Sequence, residues 1–263
     1  MMNVRPPAVA GLFYPAEASV LKRDVKHYLA EAKEFTYRPK ALIAPHAGYI
    51  YSAPIAASAY RLLGPLRGRI NRVVLLGPVH RVWVKGLALP GVNAFDTPLG
   101  TIDLDLEAMA RLIDLPQVET LAAAHAQEHS LEVQLPFLQQ VLGDFKLVPL
   151  AVGGATPEEV AEVLERLWGG DETLIVVSSD LSHYLPYQAS SNVDKATARA
   201  ILDMRTDLVG EQACGAHPIN GLLLAAKHHG LRPHLLDLRN SGDTAGDRDR
   251  VVGYGAFAFT EMQ

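Results

Sequence analysis

Short runs of Val, Ile, Leu and Ala punctuate the chain at nearly regular intervals, with little polar alternation inside them. The stretches "KALIAPH", "RVVLLGPV", "VKGLALPG", "FKLVPLAVG", "ETLIVVSSD", "RPHLLDLRN" and "VVGYGAFAFT" read as strands. Runs of this kind suit strands covered on both faces. Between them lie stretches that read as helices over Ala16–Glu34, Pro54–Leu63, Leu104–Ile113, Ser130–Leu142, Pro157–Leu167, Asp194–Met204 and Pro218–His229. Local chemistry supports several ends. Ser52 is placed to cap the helix that Pro54 would open. Thr156 ahead of Pro157-Glu158-Glu159 supplies a cap, a first-turn proline and acids suited to the helix dipole. Gly230 closes the last helix. Strands alternating with helices predict an α/β fold with a central, mostly parallel sheet flanked by helices. No linker or repeat divides residues 1–263, so a single domain is expected, with "PLGTIDLDLEAMARLIDLP" as a peripheral element.

The same grammar places chemistry. Apolar runs end at His46 ("APHAGY"), at His80 ("GPVH"), and at Asp180 and His183 ("SSDLSH"). In open α/β sheets ligands bind beyond the carboxyl ends of the strands, so all four residues can reach one edge. Pro45 and Pro78 fix φ on the approach, and Gly48 and Gly77 permit tight turns there. The only cysteine, Cys214, lies in "ACGAHPI" just ahead of a helix opened by Pro218. A helix N-terminus lowers a thiol's pKa, and thiolate is both nucleophile and metal ligand. Buried free cysteine is the plainer alternative. In "AQEHSLEVQLPFL", Glu128, His129 and Glu132 allow an H-x-x-E metal pair. The preferred reading is acids at a helix N-terminus, with His129 in a supporting hydrogen bond to a ligand. His27, His125, His228, His229 and His234 read as ordinary residues, and tyrosines near the strand tips, such as Tyr51 and Tyr184, as pocket or core.

Bulk properties narrow the classes. Of the 263 residues, 49% are hydrophobic and 20% charged, as expected of a globular chain with a large core. No apolar run approaches the roughly 20 residues that span a bilayer, and the N-terminal stretch lacks a secretory h-region. A net charge of -5, with no Lys/Arg stripe, gives no support to nucleic-acid binding. One cysteine excludes an internal disulfide, and a cytoplasmic setting is expected.

The motifs "PAVAGLFYP", "ALIAPHAGYIYSAPIAASAY", "VVLLGPVH", "EHSLEVQLPFL", "VVSSDLSHY", "CGAHPINGLL" and "NSGDTAGDRDRVVGYGAFAF" together resemble the Memo family nearly end to end. The resemblance implies a single α/β domain similar to class III extradiol dioxygenases. Those enzymes hold non-haem iron with two histidines and a glutamate. The Memo pattern implies a trio of His46, His80 and Cys214 instead, with His183 at the position of the dioxygenases' catalytic base and Asp180 beside it. Iron is the first expected metal because the fold relatives use it; thiolate in place of carboxylate softens the site and puts copper close behind, with zinc possible. Fold likeness alone does not license ring cleavage.

The functional expectation is a metal-dependent oxidoreductase, with His183 transferring a proton and Asp180 orienting it. A pocket that binds a peptide or partner protein without chemistry is the alternative. A third reading makes Cys214 a nucleophile with His183 or His217 as base, or puts a zinc hydrolase at the same trio. Family association implies a radical-SAM partner; no nucleic acid and no membrane are expected.

Overall fold

The computed structural model describes residues 3–261. A nine-stranded sheet forms its centre. Along it the strands run His183–Leu185, Val251–Thr260, Ala41–Ala44, Thr173–Ser178, Arg72–Pro78, Lys146–Val152, Leu87–Leu89 and Val118–Thr120, with Arg232–Asn240 also paired to Val251–Thr260. The four strands at its heart, from Ala41–Ala44 to Lys146–Val152, are parallel. Their side chains are almost all buried, because helices cover both faces. One helix layer contains Ala18–Glu31, Tyr49–Tyr60 and Leu135–Leu142, and another pairs Pro157–Leu167 with Ala216–His228.

The expectation of a mostly parallel sheet needs correction, because the sheet is mixed. Val251–Thr260 runs antiparallel to Ala41–Ala44, Arg232–Asn240 and His183–Leu185, and Leu87–Leu89 runs antiparallel to Lys146–Val152. An apolar strand covered on both faces carries the same residues in either direction, so composition does not report orientation. A separate three-stranded sheet of Val4–Arg5, Ala94–Thr97 and Gly100–Asp103 takes up part of the stretch read as peripheral.

The helix Pro157–Leu167 has the expected bounds, and Thr156 and Glu159 complete a reciprocal capping box. Gly230 follows Ala216–His228 with φ +64°, as its closing role requires. The Ser52 cap is wrong. The helix begins at Tyr49, whose N–H donates to Phe13 O at 2.8 Å, and it carries Pro54 in its interior. Ser52 lies inside and donates to Ala47 O at 2.7 Å. The predicted Leu104–Ile113 shrinks to Leu106–Ala110, whereas Asp194–Met204 is the tail of a longer helix, Tyr187–Leu202. Among the described residues no helix is long and apolar enough to cross a membrane.

Because Ala41–Ala44, Arg72–Pro78 and Thr173–Ser178 run side by side in one direction, the turns after them emerge at one sheet edge. His46, His80 and Asp180 each follow one of these strands by two residues.

Candidate metal centre

At that edge His46, His80 and His129 converge, each offering one ligand atom within 4.8 Å of the others. The His80 and His129 rings stack with centroids 4.7 Å apart, and His46 meets both nearly edge-on at 5.4 Å.

Hydrogen bonds fix which nitrogen His46 presents. Its Nδ1 lies 2.8 Å from Ser178 Oγ. The Ser178 hydroxyl has one proton, and it goes to the carbonyl of Ser130 at 2.6 Å, which can only accept. Ser178 Oγ also accepts from Gln134 Nε2 at 2.7 Å. That amide is oriented by Tyr60, which donates to Gln134 Oε1, and by Pro45 O, which accepts from Nε2. Ser178 therefore accepts from His46 Nδ1–H, and Nε2 carries the lone pair, facing Cys214 Sγ.

His80 follows the same logic with a carboxylate. Its Nδ1 lies 2.8 Å from Glu128 Oε1, and its backbone N–H donates to Glu128 Oε2 at 2.6 Å. Burial pushes the Glu128 carboxyl up. The His80 ring and the backbone N–H groups of Ser130 and His80 outweigh burial and hold it down at about 2. Glu128 is thus an acceptor, His80 Nδ1 carries a proton, and Nε2 is free. Burial also lowers His129 to about 4, with the neighbouring His80 and Arg81 charges adding to it, and holds His46 well below the usual imidazole range. His46 and His129 are neutral near pH 7, the state in which imidazole binds a metal.

Cys214 is adjacent but outside this group. Its Sγ is 3.4 Å from His46 Nε2 and 3.6 Å from the Asp180 carbonyl. The expected lowering of its pKa by a helix N-terminus does not prevail: burial, then the Asp180 charge, pushes the thiol up to about 12. A proton-bearing thiol is a poor nucleophile. His217, one base considered for it, holds its Nδ1 on Ala155 O at 2.7 Å.

Asp180 accepts the His46 backbone N–H at 2.8 Å, and its Oδ2 lies 4.0 Å from His46 Nε2. Burial raises its carboxyl to about 7 despite N–H donors from His46 and Ala47. His183 is half-buried, its pKa lowered by burial. Both line a cavity of about 530 Å³ together with the three histidines.

His129 is the residue that sequence reasoning assigned only a supporting part. Glu128, read as a helix-end acid, is the group that orients His80. Glu132, the other half of the conceivable H-x-x-E pair, faces away. Its carboxylate accepts from Arg5 and the Ala8 N–H at 2.8 Å, from the Val9 N–H at 3.0 Å and from Tyr14 Oη at 2.6 Å. Arg5 in turn donates to the carbonyls of His125 and Glu128 at 2.7 Å, so the N-terminal segment buttresses the turn that carries His129.

Comparison with known proteins agrees with the motifs. A family model described as Memo-like protein matches residues 5–258. A MEMO1 family protein of Ignicoccus hospitalis is 38% identical, over 98% of this chain and 99% of its own length. One of Aquifex aeolicus is 35% identical, over 98% of this chain and all of its own. Among solved structures, an uncharacterized protein of Escherichia coli K12 is similar at 14% identity and a TM-score of 0.48, covering 82% of this chain and 99% of its own. With the family model spanning the three-histidine edge and nearly everything around it, the chain belongs to the Memo-like protein family.

Proposed function

We propose that the chain is a metal-dependent oxidoreductase whose ion is held by His46 and His80 with one further donor, His129 or Cys214. The observation that carries this reading is the convergence of the three imidazoles, of which His46 and His80 engage Ser178 and Glu128 through Nδ1 and so present Nε2. Three protein ligands leave a coordination position open, as catalytic sites do and closed structural sites do not. Imidazole suits iron, copper and zinc alike. Iron is proposed first, copper next for its affinity for thiolate, and zinc third. When bound, such a metal supplies electron transfer and polarises a ligand in an open position.

The chain's own residues account for the rest. Ser178 and Glu128 hold the two imidazoles in their ligand tautomers. Asp180, with its carboxyl raised to about 7, is able to give or take a proton near neutral pH. His183, neutral there, faces the same cavity as a base. The trio implied by family resemblance (His46, His80 and Cys214) and the trio of converging imidazoles share two members. Cys214 would have to lose its proton to bind, and an ion beside His46 supplies the charge for that.

The test is metal content by mass spectrometry on protein purified without oxygen. The expected value is about one redox metal per chain. His46→Ala should remove it. His129→Ala and Cys214→Ala, compared side by side, show which donor completes the site. Retention of the full content in both would reduce the proposal to a His46–His80 pair. Zinc alone would turn the reading to hydrolysis. Absence of metal after reconstitution with Fe(II) and Cu(I) would defeat it.

A further inference from the structure

The mouth of the cavity holds a feature that the metal centre does not use. The strand His183–Leu185 pairs His183 with Val252 but Leu185 with Val251, so Tyr184 is an extra residue in the ladder. Tyr184 takes φ 57°, a region that disfavours a side chain, and the residue is 62% exposed. In a regular strand His183 and Tyr184 would face opposite sides. The bulge turns both toward the same cavity. Strain concentrated beside a cavity is a pointer to use.

Arg250 stands just before the partner strand, with its guanidinium carbon 5.2 Å from the centre of the Tyr184 ring. Among the described residues it is the only lysine or arginine lining the cavity. Among the described residues its guanidinium makes no ion pair and no hydrogen bond. The nearby Asp247 accepts at Oδ1 from the backbone N–H groups of Asp249 and Arg250, at 3.0 and 3.4 Å, and makes no ion pair with the Arg250 guanidinium. Arg166, Arg205 and Arg239, by contrast, are each spent on a carboxylate. The aromatic rings of Phe13, Tyr51, Tyr184 and Tyr254 make up much of the rest of the lining.

We infer that Tyr184 and Arg250 form a recognition edge for a small organic carboxylate with a flat apolar body. The guanidinium fork matches a carboxylate in two parallel hydrogen bonds, and stacking on Tyr184 holds it in plane. Aromatic walls accept the body, and about 530 Å³ suits a small molecule. The inference rests on the metal-centre reading only in that the ligand's far end would reach the histidines.

Calorimetric titration with benzoate and with its neutral counterpart benzamide tests it, with the metal content of every sample measured in parallel. Benzoate should bind at least ~10-fold more tightly than benzamide. Arg250→Ala should bring the two within about twofold, whereas Arg250→Lys should keep part of the preference through its charge. Tyr184→Ala should weaken both ligands. Equal affinities in the unaltered protein, no benzoate binding, or a preference that survives Arg250→Ala would each overturn the inference. A preference that survives Arg250→Ala but vanishes in His46→Ala assigns the carboxylate to the metal and leaves the metal reading intact. A preference lost in Arg250→Ala, in samples that stay without metal after reconstitution with Fe(II) and Cu(I), supports the recognition edge and removes the metal reading.

Discussion

Two acceptors decide which nitrogen the site presents. Ser178 and Glu128 touch the far side of His46 and His80, and neither needs to touch an ion to matter. Ser178→Ala removes the acceptor for His46 Nδ1–H, so the ring loses both its tautomer preference and its anchor. Glu128→Gln keeps the shape but replaces a carboxylate by an amide at His80 Nδ1. Each should weaken metal affinity by roughly 10- to 100-fold, as loss of an orienting partner commonly does. Competition with a chromophoric chelator measures this. Unchanged affinity in both would show that the imidazoles are positioned by packing alone. This logic was half legible in the sequence. His46 and His80 follow apolar runs and could be placed at the strand ends. His129 sits in a stretch whose acids have a sufficient local explanation, and its real partners are dozens of residues away. The carboxylate that orients His80 lies 48 positions along the chain, and no spacing rule reaches that far.

At the scale of elements, the helix Ala216–His228 shows how packing reverses a local preference. Gly221 lies in its interior, where replacement by Ala ordinarily stabilises a helix by about 0.5–1 kcal/mol. Here a Cβ would lie 2.3 Å from the side chain of Val160 on the neighbouring helix. Gly221→Ala should therefore destabilise the protein by roughly 1–3 kcal/mol, read as a lower urea midpoint with an unchanged slope. A rise in midpoint would mean that the two helices separate freely. Helix ends in the sequence were reliable where the capping residues act locally, as at Thr156 and Gly230. They failed at Ser52, because the first turn is set by Phe13 from a distant segment. The bulge at Tyr184 left no sequence signal, since a tyrosine at positive φ is held there by the pairing of its strand and not by its own preference.

For the whole molecule, the apolar runs disclosed the central sheet but not the direction of its flanking strands, for both directions bury the same side chains. What the sequence does carry at this scale is a set of buried histidines, and they make the fold sensitive to acid. His125, read as ordinary, is 2% exposed and donates its Nε2–H to Ala88 O at 2.8 Å. Burial lowers its pKa to about 4, with Arg5 adding to the effect against the pull of Ala88 O and Glu128. Its folded value lies below the unfolded one of about 6.5, so the unfolded chain takes up the proton first. The associated stability is complete above pH ~6.5 and is lost as the pH falls through about 4. A gap of that size corresponds to about 3 kcal/mol at the acid end. Unfolding free energies from urea titrations at pH 7 and pH 4 should therefore fall steeply in the metal-free protein. His125→Gln, which keeps a donor for Ala88 O, should flatten the fall by an amount of that order without abolishing it, because His46 and His129 titrate in the same direction. An unaltered pH slope in His125→Gln would show that the ring is protonated in the folded state, and that the core around Arg5 and Glu132 accommodates a second buried cation.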